Sequence, residues 1–468
     1  MALLGALATQ SSCTGDCTGP DCASSFAAAR LAVHRGGALA GGHEAWDDAS
    51  GRIDGTEATG ADWAVSSAGD LLVLGQPDVA TVQVVLEPVG VEALDPLARW
   101  YGATGSRFGE SVTAGVPDSF GRWNLLVGAP DTSLERGAVH VFRNAQLLED
   151  DSGADVVLTG ATPGDHFGSV VSRCGDINGD GEPDWAATAP GFSQPTEGAF
   201  AGDTVVIPNL AGAVFLLDER DLSATSGEID ALEATRFWWG GFAAKLGTAL
   251  DCASDLDGDG LTDLVIGAPF EGDADPGAVY IVHGAPEGTL SQTGSIVDIA
   301  ARTLLGSEED GWFGYAVVTA DFDGDRVVDL AVGSPGFDNG RGAAQVFEGT
   351  NLATAPTPAA AVTVQVPIER TAGDHAGRYL AAGDINGGGR ADLLVGAPDW
   401  LAPSAFDAGY IAMWLGESAP WTDMTFSESE ELAIFGTQPF QRTGHAMYVA
   451  DLDGDGSDDI ALPTRSAD

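Results

Sequence analysis

Five nine-residue stretches place oxygen-bearing side chains at alternate positions: DINGDGEPD (Asp176 to Asp184), DLDGDGLTD (Asp255 to Asp263), DFDGDRVVD (Asp321 to Asp329), DINGGGRAD (Asp384 to Asp392) and DLDGDGSDD (Asp451 to Asp459). Oxygens at the first, third, fifth and ninth positions, with a main-chain carbonyl from the seventh, can wrap one hard cation, and glycine at the sixth permits the turn between ligands. The expected ligands are Asp176, Asn178, Asp180, Glu182 and Asp184; Asp255, Asp257, Asp259, Leu261 and Asp263; Asp321, Asp323, Asp325, Val327 and Asp329; Asp384, Asn386 and Asp392; and Asp451, Asp453, Asp455, Ser457 and Asp459. Of these, the seventh-position residues Glu182, Leu261, Val327 and Ser457 would contribute through the main chain. Oxygen-only ligands favour calcium over zinc or copper. About three to four structural calcium ions are expected, each held with the modest affinity of an extracellular module.

The loops differ in quality. Arg326 stands where the third loop needs glycine, so weaker binding is expected there, and Gly388 removes the fifth-position ligand of the fourth, where Arg390 follows and poor occupancy is expected. A helix–loop–helix calcium site would need a bidentate Glu at the twelfth position. Here that position is Ala187, Ile266, Val332, Val395 or Leu462, inside a hydrophobic run, so the loop reads as a hairpin between strands. The competing reading is an ordinary Asx-rich turn with no metal.

The elements that must position these loops repeat along the chain. LLVGAP (Leu125 to Pro130), WAATAP (Trp185 to Pro190), LVIGAP (Leu264 to Pro269), LAVGSP (Leu330 to Pro335) and LLVGAP (Leu393 to Pro398) recur, with weaker copies at LLVLGQP (Leu71 to Pro77) and DIALPT (Asp459 to Thr464). Upstream of most lies a short Gly signal, at Gly109, Gly168, Gly247, Gly314, Gly377 and Gly444. Downstream comes an alternating strand opened by Gly137, Gly212, Gly277, Gly342 or Gly409, and then a further apolar stretch. Four β-type segments per copy, separated by turn signals, are the grammar of a propeller blade. The fold class expected is all-β, a seven-bladed β-propeller over residues 23–468, preceded by a leader and Cys-rich tether at 1–22. RLAVHRG (Arg30 to Gly36) and SGRIDG (Ser50 to Gly55) read as third and fourth strands, so the N terminus would supply the outer strands of blade seven and the C terminus its inner strands, removing both open edges. A truncated seventh blade is the other account. Blade one runs SSAGD (Ser66 to Asp70) where a loop should be and blade two carries VPDSFGRWN (Val116 to Asn124), so neither is expected to hold metal.

These motifs resemble the FG-GAP repeat, and their arrangement resembles the integrin α propeller. The resemblance implies an extracellular adhesion or ligand-recognition module, calcium at one end of the blades, and a protein or glycan ligand at the other. A transmembrane helix and the leg and inserted adhesion domains of integrins are not found in the sequence. Two other readings stand beside it: an accessory propeller of a secreted hydrolase system, and a carbohydrate-binding propeller.

Composition narrows the class further. Seventy acidic against twenty basic residues give a formal charge of -50, which disfavours nucleic acid and anionic lipid surfaces. No run approaches the ~20 apolar residues of a spanning helix. The apolar start ahead of Cys13 is similar to a lipoprotein leader, making Cys13 a lipidation candidate and export to the cell surface or outer membrane the expectation. Cys17 and Cys22 are candidates for pairing; Cys174 and Cys252 form either a disulfide between neighbouring blades or two buried thiols. Scarce lysine beside abundant Ala, Gly and Arg points to a GC-rich, bacterial genome. No nucleophile elbow, phosphate-binding Gly–Lys loop or zinc spacing is present, so no enzymatic activity is expected. His166, His375 and His445, beside the Gly signal, read as turn or packing residues. RFWWGGF, with Phe237, Trp238, Trp239 and Phe242, reads as blade packing or as a ligand-facing patch.

Overall fold

The computed structural model describes residues 30–34, 43–45, 51–54, 64–67, 71–86, 98–115, 123–145, 153–193, 207–219, 222, 226–234, 236–252, 255–286, 289–290, 293–354, 360, 362–365, 373–401, 408–416, 424–425, 433–436, 442–451 and 456–464. Cys13, Cys17, Cys22, Asp453 and Asp455 lie outside them.

The described chain is all-β, its helices being short turns such as Ile296–Ile299. Its strands form seven sheets of four or five strands. The sheet around the second Asp loop shows the plan. Ala249–Asp251, Leu264–Ala268, Ala278–Val282 and Arg302–Leu305 pair antiparallel in that order. The first strand follows the Gly signal, the Asp loop joins first to second, and the GAP strand runs second. The Asp loop and the Gly signal therefore lie at opposite ends of each sheet that carries both. The first sheet, from Ala64–Ser67 to Ala98–Tyr101, follows the same order. In the last, Arg30–His34 lies between Gly51–Asp54 and the C-terminal strand Asp459–Thr464, which also pairs with Tyr448–Ala450.

The apolar face of each sheet is buried against the next. Val73, Val82 and Trp100 of the first sheet meet Val112, Leu125 and Val127 of the second, and the pattern continues to Leu394, Ile411 and Met413 against Ile460 and Leu462. The GAP strands are buried throughout, as at Leu264–Ala268 and Leu393–Ala397, which is why they read as unbroken hydrophobic runs. Successive sheets are also stitched by main-chain bridges: Gly137 with Phe167, Gly212 with Leu246, Gly277 with Phe313, Gly342 with Ala376 and Gly409 with Thr443.

A further set of strands carries no sequence signature. The connection after a third strand reaches back and adds a parallel outer strand to the preceding sheet: Gly227–Asp230 on Val156–Thr159, Gly294–Ser295 on Arg236–Trp239, Met424–Thr425 on Val362–Gln365, and His43–Ala45 on Ala433–Phe435. These strands are two to four residues long, too short to carry a period-two pattern.

The aromatic cluster divides. Phe237, Trp238 and Trp239 are buried in the fourth strand of their sheet, Phe237 stacking on Phe215, whereas Phe242 is 74% exposed. Cys174 and Cys252 are bonded, with Cα atoms 5.1 Å apart, and join the third sheet to the fourth.

Candidate metal centres

Each Asp loop is folded by its own carboxylates. In the second, Asp255 Oδ1 accepts N–H bonds from Gly258 (2.6 Å) and Asp259 (3.0 Å) while its Oδ2 accepts from Gly260 (2.8 Å). Asp257 accepts from the Asp259 N–H and Asp259 from that of Leu261. The closing carboxylate, Asp263, is buried and accepts from Leu256 (2.7 Å) and Gly284 (2.8 Å). These bonds curl the loop so that Asp255, Asp257 and Asp263 each offer an oxygen within 4.8 Å of the others.

The first loop repeats the design. Asp176 accepts from Gly179, Asp180 and Gly181, Asp180 from the N–H of Glu182, and buried Asp184 from Ile177 and Asn178. In the third, Asp321 accepts from Gly324 and Arg326, Asp323 from Asp325, Asp325 from Val327, and Asp329 from Phe322 and Gly349. Asp321, Asp323 and Asp325 converge within 4.8 Å. Arg326 adopts the left-handed conformation a glycine would hold there, with φ of 71°, at a cost on the order of 1 kcal/mol.

The fourth loop keeps the fold with fewer oxygens: Asp384 accepts from Gly388 and Gly389, and Asn386 donates to Asp392. In the fifth, Asp451 accepts from Gly456, and Asp459 is buried. Ser457 lies against Gly387 of the fourth loop.

The electrostatics favour a cation. Burial pushes the carboxyl of Asp184 up to about 7, with repulsion from Asp218 and Asp180 adding to it. Asp329 is raised to about 7 by burial together with Asp323 and Asp321. Burial likewise raises Asp263 and Asp392. Anionic oxygens held this close in a half-buried loop repel one another, and a divalent ion removes that penalty. The donor set is all oxygen and the glycine turns are in place, so the loops fit a hard cation.

Two residues beside these loops were missed in the sequence. Asp218 accepts from Asn178 Nδ2 (3.0 Å), and His283 Nδ1 lies 2.7 Å from Asp257 Oδ2. Both are the first residue past a third strand, after Ala213–Leu217 and Ala278–Val282; that shared register was the available signal. Neighbouring loops are also joined by main-chain bonds, from Thr262 N–H to the Asp176 carbonyl, Ala391 to Asp321 and Asp458 to Asp384. Arg390 extends to Gly324 of the third loop.

At the opposite end, the residue two positions before each signal glycine takes a left-handed φ of 50° to 54°: Arg107, His166, Lys245, Trp312, His375 and Arg442. The side chains of His166, Lys245, Trp312, His375 and Arg442 meet the residue after a GAP motif. His166 approaches Asp131, Lys245 and Trp312 flank Phe270, and Asp399 receives His375, Arg442 and Arg378.

The FG-GAP repeat family matches residues 247–282 and 313–347. Human phosphatidylinositol-glycan-specific phospholipase D is 29% identical over 397 residues, covering 78% of this chain and 44% of that protein. Integrin alpha-PS2 of Drosophila melanogaster is 32% identical over 180 residues, 38% of this chain and 12% of the integrin. Integrin alpha-5 of Xenopus laevis is 28% identical over 236 residues, 50% of this chain and 20% of the integrin. The chain thus spans less than half the length of these relatives.

Proposed function

We propose that this chain, an integrin-like FG-GAP repeat protein, is a calcium-stabilised seven-bladed β-propeller that works outside the cytoplasm as an adhesion or ligand-recognition module rather than as an enzyme. The convergence of Asp255, Asp257 and Asp263 within 4.8 Å carries the reading. Those carboxylates come from a hairpin loop whose hydrogen bonds already hold them in place, so the ion meets a formed site and stiffens the sheet end that carries it. The seven sheets are the blades, and the ring closes where Arg30–His34 pairs with Asp459–Thr464. The ligand, a surface protein or a glycan, is read at the opposite end, where the connections carry Phe242 and Leu134 in exposed positions. A disulfide between Cys174 and Cys252 supports an oxidising compartment. Among the described residues no helix is long and apolar enough to cross a membrane.

Thermal unfolding in EDTA and across a calcium titration, with bound metal counted in parallel, tests this. A rise in Tm with about three to four ions per chain is expected. No shift and no bound metal would reduce the Asp loops to turns.

A second reading is an accessory propeller beside a hydrolase. The similarity over 78% of this chain to a phospholipase D supports it. Under that reading the catalytic groups belong to another part of the protein, and the propeller again binds.

A further inference from the structure

The end of the sheets away from the Asp loops holds a cavity of about 870 Å³, lined among others by Glu309, Asp310, Trp312, Phe337, Asn339 and His375. We propose that this cavity binds a neutral oligosaccharide; the proposal rests on the recognition reading above and gives it a ligand class. Its volume lies within the roughly 300 to 1,000 Å³ of small-ligand sites, room for several sugar units.

The floor is aromatic and fixed. Trp312 and His375 stack with ring centroids 6.0 Å apart and planes 19° apart. Phe270 packs on Trp312 at 6.0 Å, under Lys245. The imidazole of His375 is locked through Nδ1 to Asp399 Oδ2 at 2.9 Å, and Asp399 is held in turn by Arg442 at 2.9 Å and Arg378 at 3.3 Å. Burial alone would raise the Asp399 carboxyl, but these three partners keep it below the usual range. A flat, half-exposed ring surface with this support receives the apolar C–H face of a pyranose.

The polar wall carries acceptors for hydroxyl groups. Glu308 already accepts the N–H of Asp338 at 3.1 Å, and Asp338 is paired with Arg341 at 2.5 Å. Arg341 answers one of the wall's carboxylates, Glu309 and Asp310 present acceptors, and the exposed Asn339 adds an amide that both donates and accepts. Of the six residues that precede a Gly signal, only Trp312 carries an indole.

The test uses the full chain with calcium present, offered cellotetraose, xylotetraose, maltotetraose and chitotetraose, with binding read by saturation-transfer NMR and calorimetry. At least one should bind with Kd on the order of 0.1 to 1 mM, independent of added salt. Trp312→Ala should weaken it about tenfold or more, and Asn339→Ala by roughly threefold to tenfold. Val297→Ala, exposed and outside the cavity, should leave it unchanged. Failure of every sugar to bind, or binding untouched by both cavity variants, overturns the proposal. Salt-sensitive binding of spermine at the cavity in place of the sugars overturns it in favour of a cation site. The calcium-dependent shift in Tm is recorded on the same samples: an intact shift without sugar binding sinks the cavity proposal alone, whereas a missing shift sinks the metal reading.

Discussion

Gly267 of one sheet faces Gly314 of the next so closely that a Cβ on Gly267 would overlap the Gly314 carbonyl oxygen, while the Gly314 N–H donates to the Gly333 carbonyl at 3.1 Å. Gly128 with Gly168, Gly333 with Gly377 and Gly396 with Gly444 repeat the contact. The glycine of the GAP motif and the glycine of the following Gly signal are thus two halves of one junction between sheets. In the WAATAP copy Thr188 takes the first place and its side chain meets Gly247.

Gly267→Ala should therefore destabilise the fold by about 2 to 4 kcal/mol, because main chain rather than a movable side chain blocks the methyl group. Gly153, where a Cβ would meet no neighbour within 4 Å, is the control. Chemical denaturation of both alanine variants decides, and equal midpoints would refute the junction between sheets.

Asp263→Asn keeps the volume and removes the closing charge of the second loop. In saturating calcium it should lose about 1 to 2 kcal/mol of the metal-dependent stabilisation, roughly one site's share at ten times its dissociation constant. Asp384→Ala, in the loop with fewest oxygens, should change the calcium response much less. Calcium-dependent melting curves for the two variants give the comparison.

The Cys174–Cys252 bond closes a loop of sequence separation 78. Opening a loop of that length releases chain entropy in the unfolded state. Cys174→Ser with Cys252→Ser should cost about 2 to 4 kcal/mol and lower Tm in calcium and in EDTA alike. A loss seen only with calcium bound would tie the disulfide to the metal loops instead.

His140 meets the edge of Phe108 at 5.1 Å, and burial lowers its pKa from 6.5 to about 4. The unfolded chain takes up this proton near pH 6.5 and the folded chain only near 4. Stability from neutral His140 is thus complete above the unfolded value and is lost as pH falls between the two, by up to about 3 kcal/mol. His140→Gln should flatten that part of the profile relative to wild type. Paired denaturation series from about pH 7.5 to pH 4, with calcium saturating, would give parallel curves if His140 plays no part.

The sequence by itself determined the antiparallel strands of each repeat, their order and the position of every Asp loop, because each rests on local spacing: alternating or unbroken apolar runs, a glycine at a turn, oxygens two residues apart; the short parallel outer strands it did not. Asp255, Asp257 and Asp263 were legible as partners for that reason. What only the tertiary structure decided involves residues far apart in the chain. Asp218 and His283 come beside the Asp loops because a third strand ends there, Thr262 and Ala391 tie one loop to another across sheets, and Cys174 finds Cys252. Trp312 and His375 lie 63 positions apart (375 − 312), and they stack because each precedes a Gly signal and takes the same left-handed φ. No local pattern encodes that meeting. It follows from packing repeat against repeat, which brings equivalent positions of neighbouring sheets to the same end of the molecule.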